Sequence, residues 1–338
     1  MVGAILMAQA GVSAVFETEG GLVDPMGLPF HYESISAVRG QRPIGFRYSN
    51  YIVNIIASYK GHEIIACGEA ESRELAEAKA FSELIERSML ILHGAETSNG
   101  WAAYPSEDGA KTNAILELVE RDAVLAHWYS STPFREIDTG SFPDEIKQWT
   151  ELELARSEFP ILRILVSTLG FGPSVTCLLL NDKGYGVVAH GCRLGLLESV
   201  SAAIAEACRA AHSTLRREYW KDSLKLANRE PGFVNSGTHA VYHTYHEAYP
   251  AWMFGEKLNW NEAQKNWSAR MQNLLSKFDE FSFTRVLESP LCVGFAEHPK
   301  AFALHWRQIS RDEIVHSKAW TRLNLKPEAI NADPHIVS

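Results

Sequence analysis

Clusters of apolar residues and their spacing predict strands and helices that alternate along the chain. Stretches rich in β-branched and aromatic residues predict strands, and longer stretches rich in Glu, Ala and Leu predict helices. The predicted strands are Tyr48–Tyr59, His62–Cys67, Ile161–Thr168, Ser174–Asn181 and Gly186–His190, and the predicted helices are Ser72–Leu90, Glu107–Tyr129 and Glu198–Arg217. Interleaved elements of both kinds predict an α/β or α+β fold.

Turn and cap residues at the ends of these elements support the assignment. Lys60-Gly61 separates the first two strands as a hairpin turn would, and Asn181–Gly184 separates the last two. Ser72 precedes the first helix, and acidic residues follow in its first turn, which is typical of a helix N-cap.

The amino-acid composition limits which kinds of molecule this chain is expected to bind. The chain has 338 residues, of which 46% are hydrophobic, so it can bury one large core or two modest ones. The formal net charge is −9 and no basic run occurs, which argues against nucleic acid and favours a peptide or small-molecule partner. Five scattered cysteines match neither a zinc spacing nor a disulfide framework, so we expect a reducing cytoplasm.

The first residues do not have the pattern of a signal peptide. Met1–Phe16 contains no Lys or Arg, whereas a signal peptide begins with a basic region. We therefore expect a buried first strand or helix there. No segment reaches the ~20 apolar residues of a membrane helix, so we expect a soluble protein without membrane contact.

One region has a different texture from the rest. Glu230–Trp267 is dense in Tyr, Trp, His, Asn and Pro, which predicts an irregular insertion of loops and short helices over a cleft. No Pro-, Ser- or Gly-rich linker separates independent units elsewhere, so residues 1–338 are predicted to form a single domain of two internally related halves.

The same region contains three histidines at helical spacing. His239, His243 and His246 would share a face if the segment were helical, and Glu247 adjoins them, so a zinc site is conceivable. The alternative is that these side chains form the polar wall of a cleft, because Pro and aromatic residues flank them. Both interpretations stay open on the spacing alone.

One five-residue pattern, called the carboxylate phrase below, occurs in two of the predicted helices. ELIER at 83–87 recurs as ELVER at 117–121, each with two carboxylates three residues apart and an Arg directly after. If the two helices face each other, four carboxylates converge, and such a cluster favours a neutralising cation such as Mg²⁺. The alternative is a solvated face with ion pairs inside each helix. The third helix adds Glu206 and Arg209, beside an apolar stripe of Ile204, Cys208, Ala211 and Leu215.

Several motifs in order resemble those of the YcaO family. SNGWAA at 98–103 leads without insertion or deletion through Ala110 into ELVERDA at 117–123, and Trp128 stands where the family often has an aromatic residue. NADPHIVS at 331–338 is similar to the family's C-terminal N-x-x-P-H-P-x-P tail. The resemblance implies the YcaO fold, with two related halves of mixed β-sheet packed with helices.

The resemblance also implies a chemistry. Family members use magnesium-bound ATP to phosphorylate a peptide amide oxygen after a nucleophile has added to the carbonyl, so that phosphate can leave. On this basis the expected magnesium ligands and catalytic carboxylates are Glu83, Glu86, Glu117, Glu120 and Glu206, with Arg209 and Ser338 as further catalytic candidates. The nucleotide-binding candidates are Lys79, Arg87, Glu107 and Arg121.

Other family positions differ in this chain. The family's Asn and Glu upstream of the second carboxylate pair fall at Pro105 and Gly109, and the Gly before that Asn falls at Tyr104. The remaining departures are Gly68-Glu69-Ala70 for Gly-Lys-Gly, Lys79 for a small Ser, Arg209 for Gln, and Ile336 and Ser338 for the second and third tail prolines.

These departures leave two outcomes open for the nucleotide site. Glu107 or Asp108 could replace the missing Glu, and Lys79 or Arg209 could take over a phosphate contact. Equally, the introduced cations could neutralise the carboxylates and leave a salt-bridged core without metal. The hypothesis is that nucleotide use is altered or lost while the peptide-binding fold is retained.

The function that follows is modification of a ribosomally made precursor peptide, by heterocyclisation to an azoline or a related ring such as thiazole or oxazole. Partners implied by the resemblance are the precursor peptide and a leader-binding protein or flavin-dependent dehydrogenase, which would supply the flavin, in a homodimer or hetero-oligomer. A trifolitoxin-type system is one candidate. The alternative is a non-catalytic scaffold subunit that binds the peptide and supports an active partner.

Overall fold

The first sheet forms because the chain reverses at Lys60-Gly61. In this computed structural model both residues have positive φ, 51° and 74°, which is the conformation of a two-residue hairpin turn. Through this turn β2 (Tyr51–Tyr59) pairs antiparallel with β3 (His62–Ala70), and β1 (Ser34–Gln41) pairs with the other edge of β2. The predicted hairpin is confirmed, and β3 extends three residues beyond the predicted end at Cys67.

The structure describes residues 30–41, 51–214, 242–244, 248–289, 291–305, 309–325, 330–331 and 335–336. These residues form two compact units. Unit 1 contains the described residues up to Ile115 together with Ser282–Glu297, and unit 2 contains the described residues of Leu116–Phe281 and of His298 onward. The predicted element in Met1–Phe16 lies outside the described residues. A single domain with two internally related halves stays a prediction.

In unit 1, helix α1 (Arg73–His93) packs on β2 and β3. The Ser72 hydroxyl accepts a hydrogen bond from the Leu75 amide at 3.2 Å, and Gly94 ends the helix with φ 63°. The predicted N-cap is therefore confirmed. The buried residues between helix and sheet include Val53, Ile55, Ile64, Phe81, Leu84 and Ile85.

A second sheet in unit 1 has the strand order β10–β11–β4. It consists of β4 (Trp101–Tyr104), β10 (Ser282–Leu287) and β11 (Cys292–Glu297), all antiparallel. Trp101 stacks on Phe295 with ring centroids 4.9 Å apart. Helix α1 also contacts β4 and β11, so the two sheets share this helix.

Helix α2 (Glu107–Ser130) continues from unit 1 into unit 2. All residues from Asp122 to Ser130 are buried. This stretch, DAVLAHWYS, is apolar on nearly every face, which is the pattern of a helix enclosed by other elements. The predicted helix is confirmed.

A mixed five-stranded sheet forms the centre of unit 2, in the order β8–β7–β6–β5–β9. The bounds are β5 Phe134–Ile137, β6 Ile161–Val166, β7 Val175–Leu180, β8 Gly186–Gly191 and β9 Phe254–Leu258. Neighbouring strands are antiparallel except β5 and β9, which are parallel. The Asn181 side chain accepts from the Lys183 amide at 2.9 Å, which confirms the turn predicted between β7 and β8.

Among the described residues, five further helices surround this sheet or follow it. Helix α3 is Asp144–Leu152, α4 is Leu196–Thr214, α5 is Trp260–Leu275, α6 is Arg311–Val315 and α7, at the end of the series, is Lys318–Leu323. Helix α4 packs on β7 and β8 through the predicted apolar stripe, of which Ile204, Cys208 and Ala211 are buried. Leu215 lies outside the described residues. Within the described part of the chain no helix has the length and apolarity to cross a bilayer.

The prediction of loops and short helices in Glu230–Trp267 is wrong for the last part of that range, which holds a strand and the start of a 16-residue helix. β9 lies inside that range, and α5 begins at Trp260. Asn259 and Glu262 form a capping box, with the Glu262 amide 3.0 Å from the Asn259 side chain. Ala263 and Trp267 then form part of a buried helix face, whose spacing the aromatic composition concealed.

The loop between β6 and β7, residues 167–174, is held on α2 by buried polar groups. The His127 Nε2 accepts from the amides of Thr168 at 2.9 Å and Leu169 at 3.1 Å. Arg270 donates to the carbonyls of Ser167, Leu169 and Gly172. Gly170 has φ 87°, and any Cβ there would overlap Ala123 of α2. The loop therefore lies directly on the helix that carries the second carboxylate phrase.

His127 makes stability depend on pH. Its Nδ1 donates to the Thr132 carbonyl at 2.8 Å while Nε2 accepts from two amides, so protonation of Nε2 would set N–H against N–H. Burial lowers the pKa of His127 to about 4. Because the folded pKa lies below the unfolded value, the unfolded chain binds more protons between the two, and stability falls as pH drops from about 6.5 toward 4. We expect on the order of 2 kcal/mol less free energy of unfolding at pH 5 than at pH 7 from this residue.

Urea unfolding at both pH values measures this difference. In His127→Gln, whose amide does not titrate in this range but can still accept from both amides, the His127 contribution to the pH dependence should disappear. An unchanged pH dependence in that variant would contradict the assignment.

Candidate active site

The first carboxylate phrase lies on α1 in unit 1. The Glu83 carboxylate accepts from the Cys67 amide at 2.8 Å and pairs with Arg87 at 2.7 Å, so both of its oxygens are engaged. Glu86 is partly buried on the same helix. The ion pair between Glu83 and Arg87 is the intrahelical i,i+4 pair that the sequence allows.

Two predicted nucleotide contacts are engaged within unit 1. The exposed Lys79 donates to the backbone carbonyl of Glu69 at 2.8 Å. Glu107 pairs with Arg285 on β10 at 2.6 Å. Both side chains thus have partners within unit 1, and their contact with a nucleotide stays a prediction.

Tyr104 and Gly109 form a matched pair in unit 1. A Cβ built on Gly109 would overlap the Tyr104 ring. These are two of the positions at which the chain departs from the family pattern. The departures are thus coupled, because the Tyr104 ring fills the place where a glutamate at position 109 would begin. Asp108 has no described contact that would compensate.

The second phrase and the third helix carry ion pairs of the same kind in unit 2. Glu117 pairs with Arg121 at 2.9 Å on α2, and Glu206 pairs with Arg209 at 3.1 Å on α4. Each of these carboxylates therefore has a guanidinium from its own helix beside it. Glu206 and Arg209 remain about one third exposed, with side-chain exposures of 38% and 34%.

Glu120 is the carboxylate around which this part of the site is arranged. Removal from water raises the pKa of Glu120 to about 8; Arg193 and Arg121 lower it, and Glu206 and Glu117 raise it further. The five groups therefore lie within electrostatic range in unit 2. Among the described residues, the Glu120 carboxylate has no hydrogen-bond or ion-pair partner.

Sequence reasoning missed Arg193. Its guanidinium exerts the largest opposing charge on Glu120, and it donates to the Cys192 carbonyl at 2.8 Å. Arg193 lies in the short connection between β8 and α4, a kind of position where a ligand-binding side chain is common. That position between a strand and a helix was the available signal.

The arrangement of carboxylates does not fit a magnesium ion as it stands. Magnesium needs oxygen ligands that converge in octahedral geometry, whereas Glu117 and Glu206 already pair with arginines. Among the described residues no group of three or more His, Cys, Asp and Glu side chains is placed to hold a metal. Glu117 and Glu206 are each neutralised by an arginine of the same helix, and the raised pKa of about 8 leaves Glu120 largely uncharged at neutral pH, so no excess negative charge remains for an added cation to balance.

The convergence of all five carboxylates stays a prediction. Glu83 and Glu86 belong to unit 1, and Glu117, Glu120 and Glu206 belong to unit 2. Within unit 2 the structure brings the last three together, as the electrostatics at Glu120 indicate.

Of the other predicted site residues, some lie outside the described part of the chain and one lies within it. Ser338, His239, His246 and Glu247 are outside the described residues. His243 is buried, and its ring stacks on Tyr249 with centroids 4.7 Å apart and contacts Trp128 edge-on. This aromatic environment places His243 in the core of unit 2 rather than on a cleft wall.

Asp122, which follows the second phrase, has a structural role that sequence reasoning did not assign. Its fully buried carboxylate makes a bidentate pair with Arg322 of α7, at 2.9 and 3.0 Å. It also accepts from the amides of Phe171 at 3.2 Å and Phe302 at 2.9 Å. Burial raises the pKa of Asp122, and the charge and hydrogen bonds of Arg322 oppose that rise.

Residues 89–287 match the family described as "YcaO cyclodehydratase, ATP-ad Mg2+-binding". Because the match covers more than half of the chain, this chain belongs to the YcaO family. The matched region includes the second phrase and α4 but begins after Glu83 and Glu86. A search of curated protein sequences gives no significant match.

Solved structures share this fold at low sequence identity. YcaO from Methanopyrus kandleri, bound with AMPPCP and Mg²⁺, is 13% identical, with 79% of this chain and 85% of that chain covered and a TM-score of 0.50. A heterocyclase in complex with substrate and cofactor is 13% identical over 98% of this chain and 60% of its own length, with a TM-score of 0.57. The E. coli microcin synthetase McbBCD complex with pro-MccB17 bound is 12% identical, with 80% and 89% covered and a TM-score of 0.52. These similarities establish the mixed α/β YcaO fold.

Asp122→Asn should be strongly destabilising. The substitution leaves the half-buried Arg322 charged without its counter-ion, and removing one partner of such a pair costs up to about 3–5 kcal/mol. Glu256→Gln is the matched control, because Glu256 forms an exposed pair with Arg135 at 3.6 Å that should contribute less than about 1 kcal/mol. Urea unfolding of both variants measures the difference, and equal losses would remove Asp122 from its structural role.

Proposed function

We propose that this chain modifies a ribosomally synthesised precursor peptide as a YcaO-type cyclodehydratase-like enzyme, with its use of ATP altered or lost. The observation that carries the proposal is family membership combined with a carboxylate cluster whose charges are balanced by arginines. The class of reaction proposed is addition of a peptide side-chain nucleophile to a backbone amide carbonyl, followed by activation and loss of the former amide oxygen to give an azoline.

The relatives support a peptide substrate. One is a heterocyclase in complex with substrate and cofactor, and another is a microcin synthetase complex with pro-MccB17 bound. Because the microcin synthetase is a complex of several proteins, we propose that this chain also acts with a partner, either a leader-binding protein or a flavin-dependent dehydrogenase. We also propose a cytoplasmic location, where a ribosomal peptide is first available.

Altered nucleotide use is supported by coupled changes rather than by one substitution. The Tyr104 ring occupies the space of a glutamate at position 109, so the change at one position requires the change at the other. Arg209 stands where the resemblance places a Gln, and it pairs with Glu206 at 3.1 Å. A guanidinium is a permanent cation, and a second cation beside the same carboxylate is disfavoured by charge repulsion.

The alternative is a scaffold subunit without catalysis of its own. It is favoured by the ion pairs at Glu83, Glu117 and Glu206, which are all intrahelical and leave those carboxylates satisfied without a substrate or metal. In that case the chain would bind the peptide for an active partner.

Wild-type protein should show no micromolar binding of ATP-Mg²⁺ in isothermal titration, because arginines already neutralise its carboxylates. Micromolar binding that Glu83→Ala abolishes would contradict this expectation. Circular dichroism of Glu83→Ala controls for folding.

A variant designed to reverse the departures should gain nucleotide affinity. Tyr104→Gly, Pro105→Asn, Gly109→Glu and Arg209→Gln together install the residues that the family resemblance indicates, and the first change makes room for the third. We expect at least tenfold tighter ATP-Mg²⁺ binding than wild type by the same titration. The Gly109→Glu change alone is the matched control, and it should misfold locally or gain nothing because the Tyr104 ring remains.

Reconstitution distinguishes the enzyme from the scaffold. Purified protein is incubated with the precursor peptide encoded near its gene, with and without ATP-Mg²⁺ and with and without the neighbouring dehydrogenase, and peptide mass is measured. Loss of water that requires this chain but not ATP supports an altered-site enzyme. Loss of water driven by ATP with this chain alone would indicate an intact nucleotide site, and no change under any combination would favour the scaffold.

A further inference from the structure

Helix α5 binds the backbone of two separate loops of unit 2 through side chains on one of its faces. Trp267 and Arg270 are three residues apart in this helix, so they lie on the same face. Arg270 donates to three backbone carbonyls of the 167–174 loop. The buried Trp267 indole donates to the Leu194 carbonyl at 3.2 Å, in the β8–α4 connection of residues 192–195.

The 167–174 loop fills the space between α5 and α2. A Cβ built on Gly172 would lie 2.7 Å from a Leu274 side-chain atom of α5 and 2.9 Å from a Val119 side-chain atom of α2. Only a glycine fits at such a close approach. Val119 stands between Glu117 and Glu120 in the sequence, so the loop packs on the turn of α2 that carries both carboxylates.

The same loop is bonded to the β8–α4 connection. The Cys192 Sγ donates to the Pro173 carbonyl at 3.2 Å. The Ser199 hydroxyl, in the first turn of α4, accepts from the Arg193 amide at 2.8 Å. The connection is therefore held by the loop on one side and by α4 on the other, and α4 carries Glu206.

Arg270 fixes positions rather than balancing a negative charge. Its guanidinium is partly buried, and within the described part of the chain it forms no ion pair. All of its described acceptors are backbone carbonyls. Because a guanidinium presents its N–H groups in a rigid planar fork, one side chain sets the relative positions of three carbonyls.

We infer that Arg270 and Trp267 are positioning residues for the carboxylates of unit 2. Arg270 holds the 167–174 loop as a spacer between α2 and the β8–α4 connection, and Trp267 holds that connection against α5. The spacer sets the separation between the carboxylates of α2 and the carboxylate of α4. Its effect on peptide modification rests on the proposed function, whereas the attachment of the two loops does not.

Four variants separate this role from general destabilisation. Arg270→Met retains the length of the side chain but removes every donor, and Arg270→Lys retains the charge on a single nitrogen that cannot serve three carbonyls. Trp267→Phe retains a buried ring without the indole donor. Arg163→Met is the matched control, because Arg163 is also a partly buried arginine of unit 2 but pairs with Glu136 on the central sheet.

Amide hydrogen exchange measures the attachment. In Arg270→Met, exchange should rise at least tenfold in fragment 167–174 and also in fragment 192–199, which Arg270 does not contact but the loop holds. Arg270→Lys should raise both at least threefold, Trp267→Phe should raise only fragment 192–199 at least threefold, and Arg163→Met should leave both within twofold of wild type.

Three results would overturn the inference. They are a rise confined to fragment 167–174 in the Arg270 variants, an unchanged fragment 192–199 in Trp267→Phe, and rises of equal size in Arg163→Met. Circular dichroism reports folding of each variant. If Arg270→Met does not fold, Arg270→Lys and Trp267→Phe decide the question by the same criteria.

The rate of peptide modification then tests the link to function. If wild type modifies the precursor peptide, Arg270→Met should lower kcat at least tenfold with KM changed less than threefold, and Arg270→Lys should lie between the two. Arg163→Met should retain kcat within threefold. An unchanged kcat in Arg270→Met would overturn the positioning role. If wild type modifies no peptide, the proposed function fails, while hydrogen exchange still decides whether the loop acts as a spacer.

Discussion

The buried carboxylate of Asp122 connects segments of unit 2 that are far apart in sequence. It receives a bidentate guanidinium from Arg322 and the amides of Phe171 and Phe302. A buried carboxylate is stable only when its charge and its hydrogen-bonding capacity are both satisfied, so these segments must meet in one geometry. Helix α2, the 167–174 loop and helix α7 are therefore fixed by a single side chain.

This constraint extends to the candidate site carboxylates Glu117 and Glu120, because they lie on the same helix as the structural carboxylate Asp122. Glu117 and Glu120 precede Asp122 on the same helix, α2, within about one and a half turns, so whatever fixes Asp122 also fixes them. His127 and Arg270 add to the same effect, because both bind the backbone of the loop that lies against α2. A site on a helix held in this way is precise because the helix has little freedom to move.

Charge balance is the second constraint on the site. Each E-x-x-E-R phrase supplies its own guanidinium, and α4 supplies Arg209 for Glu206. Carboxylates can be neutralised by metal ions or by arginines, and arginines need no ligand geometry beyond one or two oxygens. The Tyr104 ring over Gly109 shows that the backbone near the start of α2 has adapted to a smaller residue. In this chain each of Glu83, Glu117 and Glu206 is paired with an arginine of its own helix.

The sequence alone determined the local elements and the family, because short-range signals are written in neighbouring residues. The Lys60-Gly61 turn, the Ser72 cap and the repeated carboxylate phrase are all signals of that kind. Only the tertiary structure decided the role of Asp122, because its ion-pair partner Arg322 lies 200 residues away in the sequence. It also revealed that the residues at positions 104 and 109 depend on each other, because the Tyr104 ring occupies the space that a side chain at position 109 would need. Contacts of this kind depend on which distant segments pack together, and the hydrophobic pattern and the turn residues of a sequence do not specify which segments those are.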